Sequence, residues 1–184
     1  MMTHPFAVDV DTLSGMRPLS TAVFALGSNL GDRLENLQGA LTTLRSTPDV
    51  IVVDVSPVYE TEPVGAPEGS PTFLNAVVVT ETTLQPRTLL ERAHAIEDAY
   101  GRNRVELNGP RTLDVDLLIV GRREVSDEHL QLPHPRAHER AFVLVPWHDV
   151  DPGASIPGKG PIADLLAQVD TSGVRRRDDL TLED

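Results

Sequence analysis

The pattern of apolar and polar residues predicts a chain of alternating strands and helices. Short apolar or β-branched runs, which are typical of strands, lie at 21–26, 50–56, 73–80, 113–120 and 130–132. Leucines at helical spacing after Asp32 predict a helix of about three turns with Asp32 as its N-cap. A second helix is predicted from Pro86 to Tyr100, with proline in its first turn and Gly101 as its C-cap.

The order of these elements indicates the fold class. Strand, helix, strand, strand, helix, strand is the order of a split βαβ, which predicts a ferredoxin-like antiparallel sheet with helices on one face, in the α/β (α+β) class. The chain has 184 residues and no internal repeat or linker, which predicts a single domain at 21–170. Residues 1–20 are predicted to be a disordered or loosely attached extension, and 171–184 a charged, solvated tail.

A long connection rich in proline and glycine lies between the predicted second and third strands, at 57–72. A connection of this length within a compact domain is usually a functional lid or a disordered insert. In the strand that follows it, Phe73 and Asn75 share a face because side chains alternate with a period of two. Such a pair could equally be ordinary core, so the pattern alone leaves both possibilities open.

Two acidic residues interrupt the strand that follows the Gly-Pro turn. The alternation of side chains places Asp114 and Asp116 on one face, with backbones roughly 7 Å apart, and Val115, Leu117 and Ile119 on the other. Like charges on an apolar strand resist burial unless water or cations neutralise them. Paired carboxylates suit magnesium, which takes one or two protein carboxylates and shares substrate phosphates.

The loop before this strand carries Arg102, Arg104 and Arg111. Guanidinium groups match phosphate oxygens, and magnesium on carboxylates opposite arginines recurs in phosphoryl transfer. The same arrangement would also arise from simple salt bridges between the arginines and the aspartates. Both interpretations remain open at the level of the residues alone.

Composition narrows the classes of partner and compartment. A formal net charge of −12 argues against nucleic acid or an anionic membrane as the main partner. The chain has no cysteine, which fits a reducing cytosol. No apolar run is long enough to span a bilayer, and the N-terminus lacks a signal pattern. These features predict a cytoplasmic protein.

Five motifs in order carry a resemblance to a known family. They are ALGSNLGD at 25–32, YETEPVG at 59–65, FLNA at 73–76, GPRTLDVDLL at 109–118 and LPHPR at 132–136. Over about residues 21 to 166, the chain resembles the 6-hydroxymethyl-7,8-dihydropterin pyrophosphokinases of folate biosynthesis. The resemblance implies a three-layer α/β/α monomer that transfers pyrophosphate from ATP to the pterin hydroxymethyl group and releases AMP. It also implies that the connection at 57–72 is a lid.

The resemblance assigns roles to individual residues. Asp114 and Asp116 would hold two Mg²⁺ ions, and Arg104 and Arg111 would act with them in catalysis from a mobile loop. The ATP contacts that it implies are Glu97, Arg104, Arg111, Leu117, His134 and Arg140. The pterin contacts that it implies are Thr61, Glu62, Val64, Phe73, Asn75 and Phe142.

Some residues depart from the family pattern or allow other interpretations. Asn108 stands where some members carry Trp in the closing loop, and His129 and Pro135 replace residues that line the ATP side in some members. These departures bear on loop closure and ATP affinity. On helical spacing alone, His94 and Glu97 would form a solvated surface pair. His129, His134 and His138 could be zinc ligands, although their spacing is loose.

Two rival functions use the same residues. In a catalytically idle binding module, the carboxylates would serve only a salt-bridge network. In a magnesium-dependent phosphohydrolase, the aspartate pair would act on water, and phosphate would be released without pterin.

Overall fold

The computed structural model describes residues 17–101 and 112–184. The elements of the first range are β1 (Ser20–Ser28), α1 (Arg33–Ser46), β2 (Val50–Val55), β3 (Tyr59–Thr61), β4 (Phe73–Thr82) and α2 (Pro86–Ala99). Those of the second range are β5 (Asp114–Val120), β6 (Val125–Ser126), β7 (Gln131–Leu132), a 3-10 helix (Ala137–Glu139), α3 (Ala141–Val150), β8 (Ser155–Ile156), β9 (Gly160–Pro161), α4 (Ile162–Leu166) and β10 (Val174–Arg176). No helix in these two ranges is long and apolar enough to cross a membrane.

One antiparallel sheet of six strands forms the centre of the molecule. Its strands follow the order β10-β3-β4-β1-β5, and β2 also pairs with β4. Strands β2, β4, β1 and β5 together with α1 and α2 form the split βαβ. The predicted ferredoxin-like antiparallel sheet is therefore confirmed.

Helices cover both faces of this sheet. On one face, α1 and α2 bury leucines such as Leu37, Leu41 and Leu89 against β1, β4 and β5. On the other face, α3 and α4 pack Trp147 and Ile162 against the same strands. The three-layer α/β/α arrangement is confirmed, whereas element order alone had predicted helices on one face only.

Helix α1 begins as its sequence predicts. The Asp32 side chain accepts a hydrogen bond from the Glu35 backbone N–H at 3.1 Å. A carboxylate at this position satisfies one of the unpaired N–H groups in the first turn. The helix runs for 14 residues, about one turn longer than its leucine spacing indicates.

Strand β5 contains an irregularity that changes one predicted orientation. Its pairing with β1 shifts between Phe24, which lies opposite Leu117, and Val23, which lies opposite Ile119. The extra residue, Leu118, is a β-bulge that reverses the alternation beyond it. Ile119 therefore packs on the α3 face, and the prediction that it shares a face with Val115 is wrong.

Two strands of the central sheet were not predicted. Strand β3 lies within the connection at 57–72 and pairs with β4, while β10 lies within the predicted C-terminal tail and pairs with β3. Leu180 and Leu182 beyond β10 are partly buried against the α1 face of the core. The prediction that 171–184 is a solvated tail is wrong, because this segment forms one edge of the sheet.

Candidate active site

The predicted site begins where three strands lie side by side. Asp114 and Asp116 of β5 are opposite Gly27 and Ala25 of β1, and Gly27 is opposite Asn75 of β4. Directly opposed residues in neighbouring strands project from the same face of a sheet. Asn75 and Asp114 are thus separated by two strand spacings, about 10 Å.

A cavity of about 1050 Å³ opens over this part of the sheet, on the α3 side. Its walls come from β1, β4, β5, the segment 61–71, the 3-10 helix, the start of α3 and the segment before β10. The structure brings together in this cavity most of the residues assigned from the sequence: Thr61, Glu62, Val64, Phe73, Asn75, Asp114, Asp116, His134, Arg140 and Phe142.

One wall carries an oriented amide. The Thr61 hydroxyl donates to Asn75 Oδ1 at 2.6 Å, and Asn75 Nδ2 donates to the Leu26 carbonyl at 3.4 Å. A Cβ at Gly27 would lie 2.8 Å from Asn75 Nδ2, so glycine leaves the space that the amide occupies. Phe73 lies beside this amide on the same face of β4, so the wall combines a fixed hydrogen-bonding group with an aromatic ring.

The opposite wall carries a neutral histidine. The Arg136 backbone N–H donates to His134 Nδ1 at 3.2 Å, which leaves the ring proton on Nε2. Burial, together with the positive charges of Arg140 and Arg136, lowers the pKa of His134 to about 4. At neutral pH, His134 therefore offers an uncharged N–H donor.

Arg140 connects the acidic and aromatic parts of the cavity. Its guanidinium lies 5.4 Å from the centroid of the Phe142 ring, within the range of a cation–π contact. Burial lowers the pKa of Arg140, and the negative charges of Asp116 and Asp114 oppose that effect. An arginine remains charged in such a site, so Arg140 can bind a phosphate next to the carboxylate pair.

The carboxylate pair suits a hard cation that a substrate helps to hold. Across residues 17–101 and 112–184, the structure contains no group of three or more His, Cys, Asp or Glu side chains able to hold a metal. Two carboxylates, together with substrate phosphates and water, are a donor set that Mg²⁺ uses. The zinc alternative on His129, His134 and His138 has no such group to support it.

Comparison with known proteins decides the family. The sequence model described as 7,8-dihydro-6-hydroxymethylpterin-pyrophosphokinase (HPPK) matches residues 23–152. The chain belongs to the HPPK family. It is 43% identical over 158 residues to a 2-amino-4-hydroxy-6-hydroxymethyldihydropteridine pyrophosphokinase of Methylorubrum extorquens, covering 86% of this chain and 99% of that relative. A Bacillus subtilis relative of the same name is 45% identical over 129 residues, covering 70% and 77%.

Solved structures agree on the fold. A Plasmodium falciparum structure titled HPPK-DHPS wild type with pteroate matches 85% of this chain with a TM-score of 0.65 and 14% identity. A triple mutant of the same protein gives 0.63 over 84% of this chain at 15% identity. This chain spans 45% and 44% of those two longer chains.

Two described residues assigned from the HPPK resemblance, Leu117 and Glu97, do not line the cavity. Two others, Arg104 and Arg111, lie outside the described residues. Leu117 packs in the core on the α1 face. Glu97 is buried and accepts a hydrogen bond from the Val115 backbone N–H at 3.1 Å, so the interpretation of Glu97 as part of a solvated pair is wrong.

The cavity also contains residues that the sequence did not single out. They include Asn29, Arg136, Glu139, Asp170, Ser172 and Gly173. Arg136 belongs to the LPHPR motif, which was a signal that could have identified it. The last three come from the segment before β10, and no local pattern connects that segment with the cavity.

Proposed function

We propose that this protein transfers pyrophosphate from ATP to the hydroxymethyl group of 6-hydroxymethyl-7,8-dihydropterin, giving the pterin diphosphate and AMP in folate biosynthesis. One observation supports this function. In a member of the HPPK family, the wall that carries Phe73 and Asn75 and the carboxylate pair of Asp114 and Asp116 line the same cavity. In the transfer, the hydroxymethyl oxygen bonds to the β-phosphorus of ATP, and the bond from that phosphorus to the oxygen bridging it to the α-phosphate breaks. AMP leaves with that oxygen, and the hydroxyl proton passes to water.

The pterin would bind at the wall of β4. Asn75 would hydrogen-bond the edge of the heterocycle, in an orientation that Thr61 fixes. Phe73 and Phe142 would contact its faces, since flat heteroaromatic rings are held by such stacking. Glu62 and Val64 would close the site from the segment after β3.

The triphosphate would bind on the side of β5. Asp114 and Asp116 would hold two Mg²⁺ ions, which neutralise phosphate charge and align the reacting groups when bound. Arg140 and the Nε2–H of His134 would donate to phosphate oxygens, and Arg104 and Arg111 are proposed to add positive charge. No general base is required, because phosphoryl transfer depends mainly on alignment and charge stabilisation.

We also propose that the protein acts in the cytoplasm as a monomer. The net charge of −12 and the absence of cysteine support this setting. Sedimentation of the purified chain at micromolar concentration tests the oligomeric state, and a dimer would contradict the proposal.

The identity of the nucleotide product tests the function. Purified protein is incubated with magnesium-ATP, with and without 6-hydroxymethyl-7,8-dihydropterin, and the nucleotides are separated. AMP that forms only with pterin is the expected result. ADP, or ATP breakdown regardless of pterin, would indicate a phosphohydrolase, and tight binding without turnover would indicate a binding module.

Replacement of one carboxylate tests the metal assignment. Asp116→Ala removes half of the proposed Mg²⁺ donor set, so we expect kcat to fall at least about 100-fold. The circular dichroism spectrum should not change, because Asp116 projects into the cavity. Near-normal turnover by a folded Asp116→Ala variant would refute the assignment.

A further inference from the structure

Glu60, in the middle of β3, is the centre of an ion-pair network. Its carboxylate lies 3.2 Å from Arg33 at the start of α1, 3.0 Å from Arg175 in β10 and 3.2 Å from Arg177 beyond β10. The Thr72 hydroxyl also donates to it, at 3.1 Å. The Glu60 side chain is only 16% exposed, and a sheltered carboxylate is retained at low cost only where hydrogen-bonded partners compensate for lost hydration.

The network holds the end of the segment that precedes β4. Arg33 donates to the Thr72 carbonyl at 3.1 Å and to the Thr72 hydroxyl at 2.8 Å. Thr72 lies between Pro71 and Phe73, which both line the cavity. Glu60 and Arg33 therefore fix the backbone on either side of Thr72, although neither residue lines the cavity.

The Glu60 carboxylate also holds a second cavity-lining segment, at residues 173–174. Arg175, which bonds to Glu60, follows Val174, and Val174 and Gly173 line the cavity. The Glu62 backbone N–H donates to the Gly173 carbonyl at 3.1 Å, so the two walls also meet directly. Glu60 thus lies where two cavity-lining segments, 71–73 and 173–174, are attached to the sheet.

We propose that Glu60 is a positioning residue for the pterin, acting through Arg33 and Thr72 on one wall and through Arg175 on the other. This inference rests on the proposed function. Glu60→Gln removes the charge that gathers the three arginines and leaves side-chain length unchanged. We expect the pterin KM and Kd to rise about 10-fold. This corresponds to the loss of about one charge-assisted hydrogen bond, transmitted to the pterin through the displaced cavity-lining segments.

The ATP side provides an internal reference. Asp114, Asp116 and Arg140 lie on β5 and just before α3, and none of them contacts Glu60 through a hydrogen bond or ion pair of the network. We expect kcat at saturating pterin and the Kd for magnesium-ATP to change by less than about 2-fold. A defect in overall folding would affect both ligands, so this difference separates positioning from stability.

Asp149→Asn is the matched control. Asp149 accepts a hydrogen bond from the Tyr59 hydroxyl and forms an ion pair with Arg176 at 3.2 Å, so it also ties β3 to β10. It does not contact Thr72 or Arg33 within the networks described. We expect Asp149→Asn and Glu60→Gln both to lower the melting temperature, because each removes a charged partner of a β10 arginine. We expect Asp149→Asn to leave the pterin Kd within about 2-fold of the wild-type value.

Arg33→Gln tests the route through Thr72. It should reproduce much of the rise in pterin Kd, and the double variant Glu60→Gln/Arg33→Gln should bind no more weakly than the weaker single variant, because residues that act through one contact are not additive. If Glu60→Gln does not fold, Arg33→Gln provides the same measurement while Glu60 keeps its other two arginines.

Direct titration of pterin fluorescence, beside the AMP assay, separates the possible failures. Unchanged pterin binding in Glu60→Gln and Arg33→Gln would overturn the positioning role. Equal weakening in Asp149→Asn would also overturn it, because general loosening would then explain the effect. If the wild type binds pterin but forms no AMP, the proposed function fails, and the titration still decides the role of Glu60.

Discussion

At the scale of single residues, Gly27 is a position in the site where packing leaves no room for a side chain. Its backbone has no positive φ, so alanine is conformationally permitted there. A Cβ would nevertheless lie 2.8 Å from Asn75 Nδ2 and force the amide out of the orientation set by Thr61. Because the amide is proposed to read the pterin edge, we expect Gly27→Ala to raise the pterin KM about 10-fold or more.

Gly153→Ala is a suitable control for Gly27→Ala. An added Cβ at Gly153 meets no heavy atom within 4 Å, and this glycine has no positive φ. Steady-state kinetics of both variants should show a change only for Gly27→Ala. A normal pterin KM for that variant would contradict the role of the Asn75 amide.

His134 gives a prediction about pH. The unfolded chain binds a proton at this ring near pH 6.5, while the folded chain binds it only near pH 4. Between these values the unfolded state holds more protons, so the contribution of His134 to stability falls as pH is lowered from 6.5 to 4. The unfolding free energy of His134→Gln should therefore change less over this window than that of the wild type.

Urea unfolding at several pH values measures this difference. Above pH 6.5, the gap between wild type and His134→Gln should be constant, because neither state of the wild type carries the proton there. A gap that stays constant down to pH 4 would show that His134 is not protected from protonation in the fold.

At the scale of elements, β4 is the strand on which the site depends. Along one edge, its residues 73–75 pair with β3 and its residues 78–82 pair with β2, and Ser56 lies between these two partner strands. The Ser56 hydroxyl accepts from the Val77 N–H at 2.8 Å and donates to the Pro57 carbonyl at 2.8 Å. This side chain replaces the ladder bond that the change of strand interrupts.

Ser56→Ala should therefore destabilise the protein. It leaves the buried Val77 N–H without its acceptor, which costs about 1 to 3 kcal/mol of unfolding free energy. Ser46→Ala is the control, because the Ser46 hydroxyl bonds to Thr42 on an exposed helix end and its loss should cost less than about 0.5 kcal/mol. Equal unfolding free energies for the two variants in urea would contradict this role of Ser56.

Some of these elements could be predicted from the sequence alone, and others could not. The longer strands were predictable from their apolar or β-branched runs, and both long helices from helical spacing or cap residues. The shared face of Asp114 and Asp116 was predictable from the alternation of side chains along a strand. Strands β3 and β10 span three residues each, which is too few for a pattern, and two of the three residues of β10 are arginines. The bulge at Leu118 and the burial of Glu97 depend on neighbouring elements, so no local signal indicated them.

At the scale of the whole molecule, the C-terminal segment joins the sheet, the core and the site. Strand β10 pairs with β3 through Val174, Arg175 and Arg176, and Leu180 and Leu182 cover part of the α1 face. A solvated tail could be removed without effect. A sheet edge that carries two partly buried leucines could not, because its removal exposes strand β3 and apolar core.

Deletion of residues 174–184 should therefore lower the unfolding free energy by about 3 kcal/mol or more, from lost strand pairing and roughly 1 kcal/mol for each leucine. The pterin KM should rise as well, since Val174 lines the cavity and Arg175 and Arg177 bind Glu60. Deletion of residues 183–184 is the control. It removes only exposed contacts, which contribute little: the ion pair between Arg45 and Asp184 and the hydrogen bonds of the Glu183 backbone with Gln38 and Arg45.

The two deletions distinguish an edge strand from a tail by the size of the fall in melting temperature that each causes. Calorimetry should show a clear fall in melting temperature for the longer deletion and almost none for the shorter one. If both deletion variants melt at the same temperature as the full chain, the pairing of β10 with β3 contributes nothing to stability. The attachment of the cavity-lining segment 173–174 to Glu60 then loses its structural basis. If only the longer deletion melts early and binds pterin weakly, the sheet edge and the pterin wall are one structural unit.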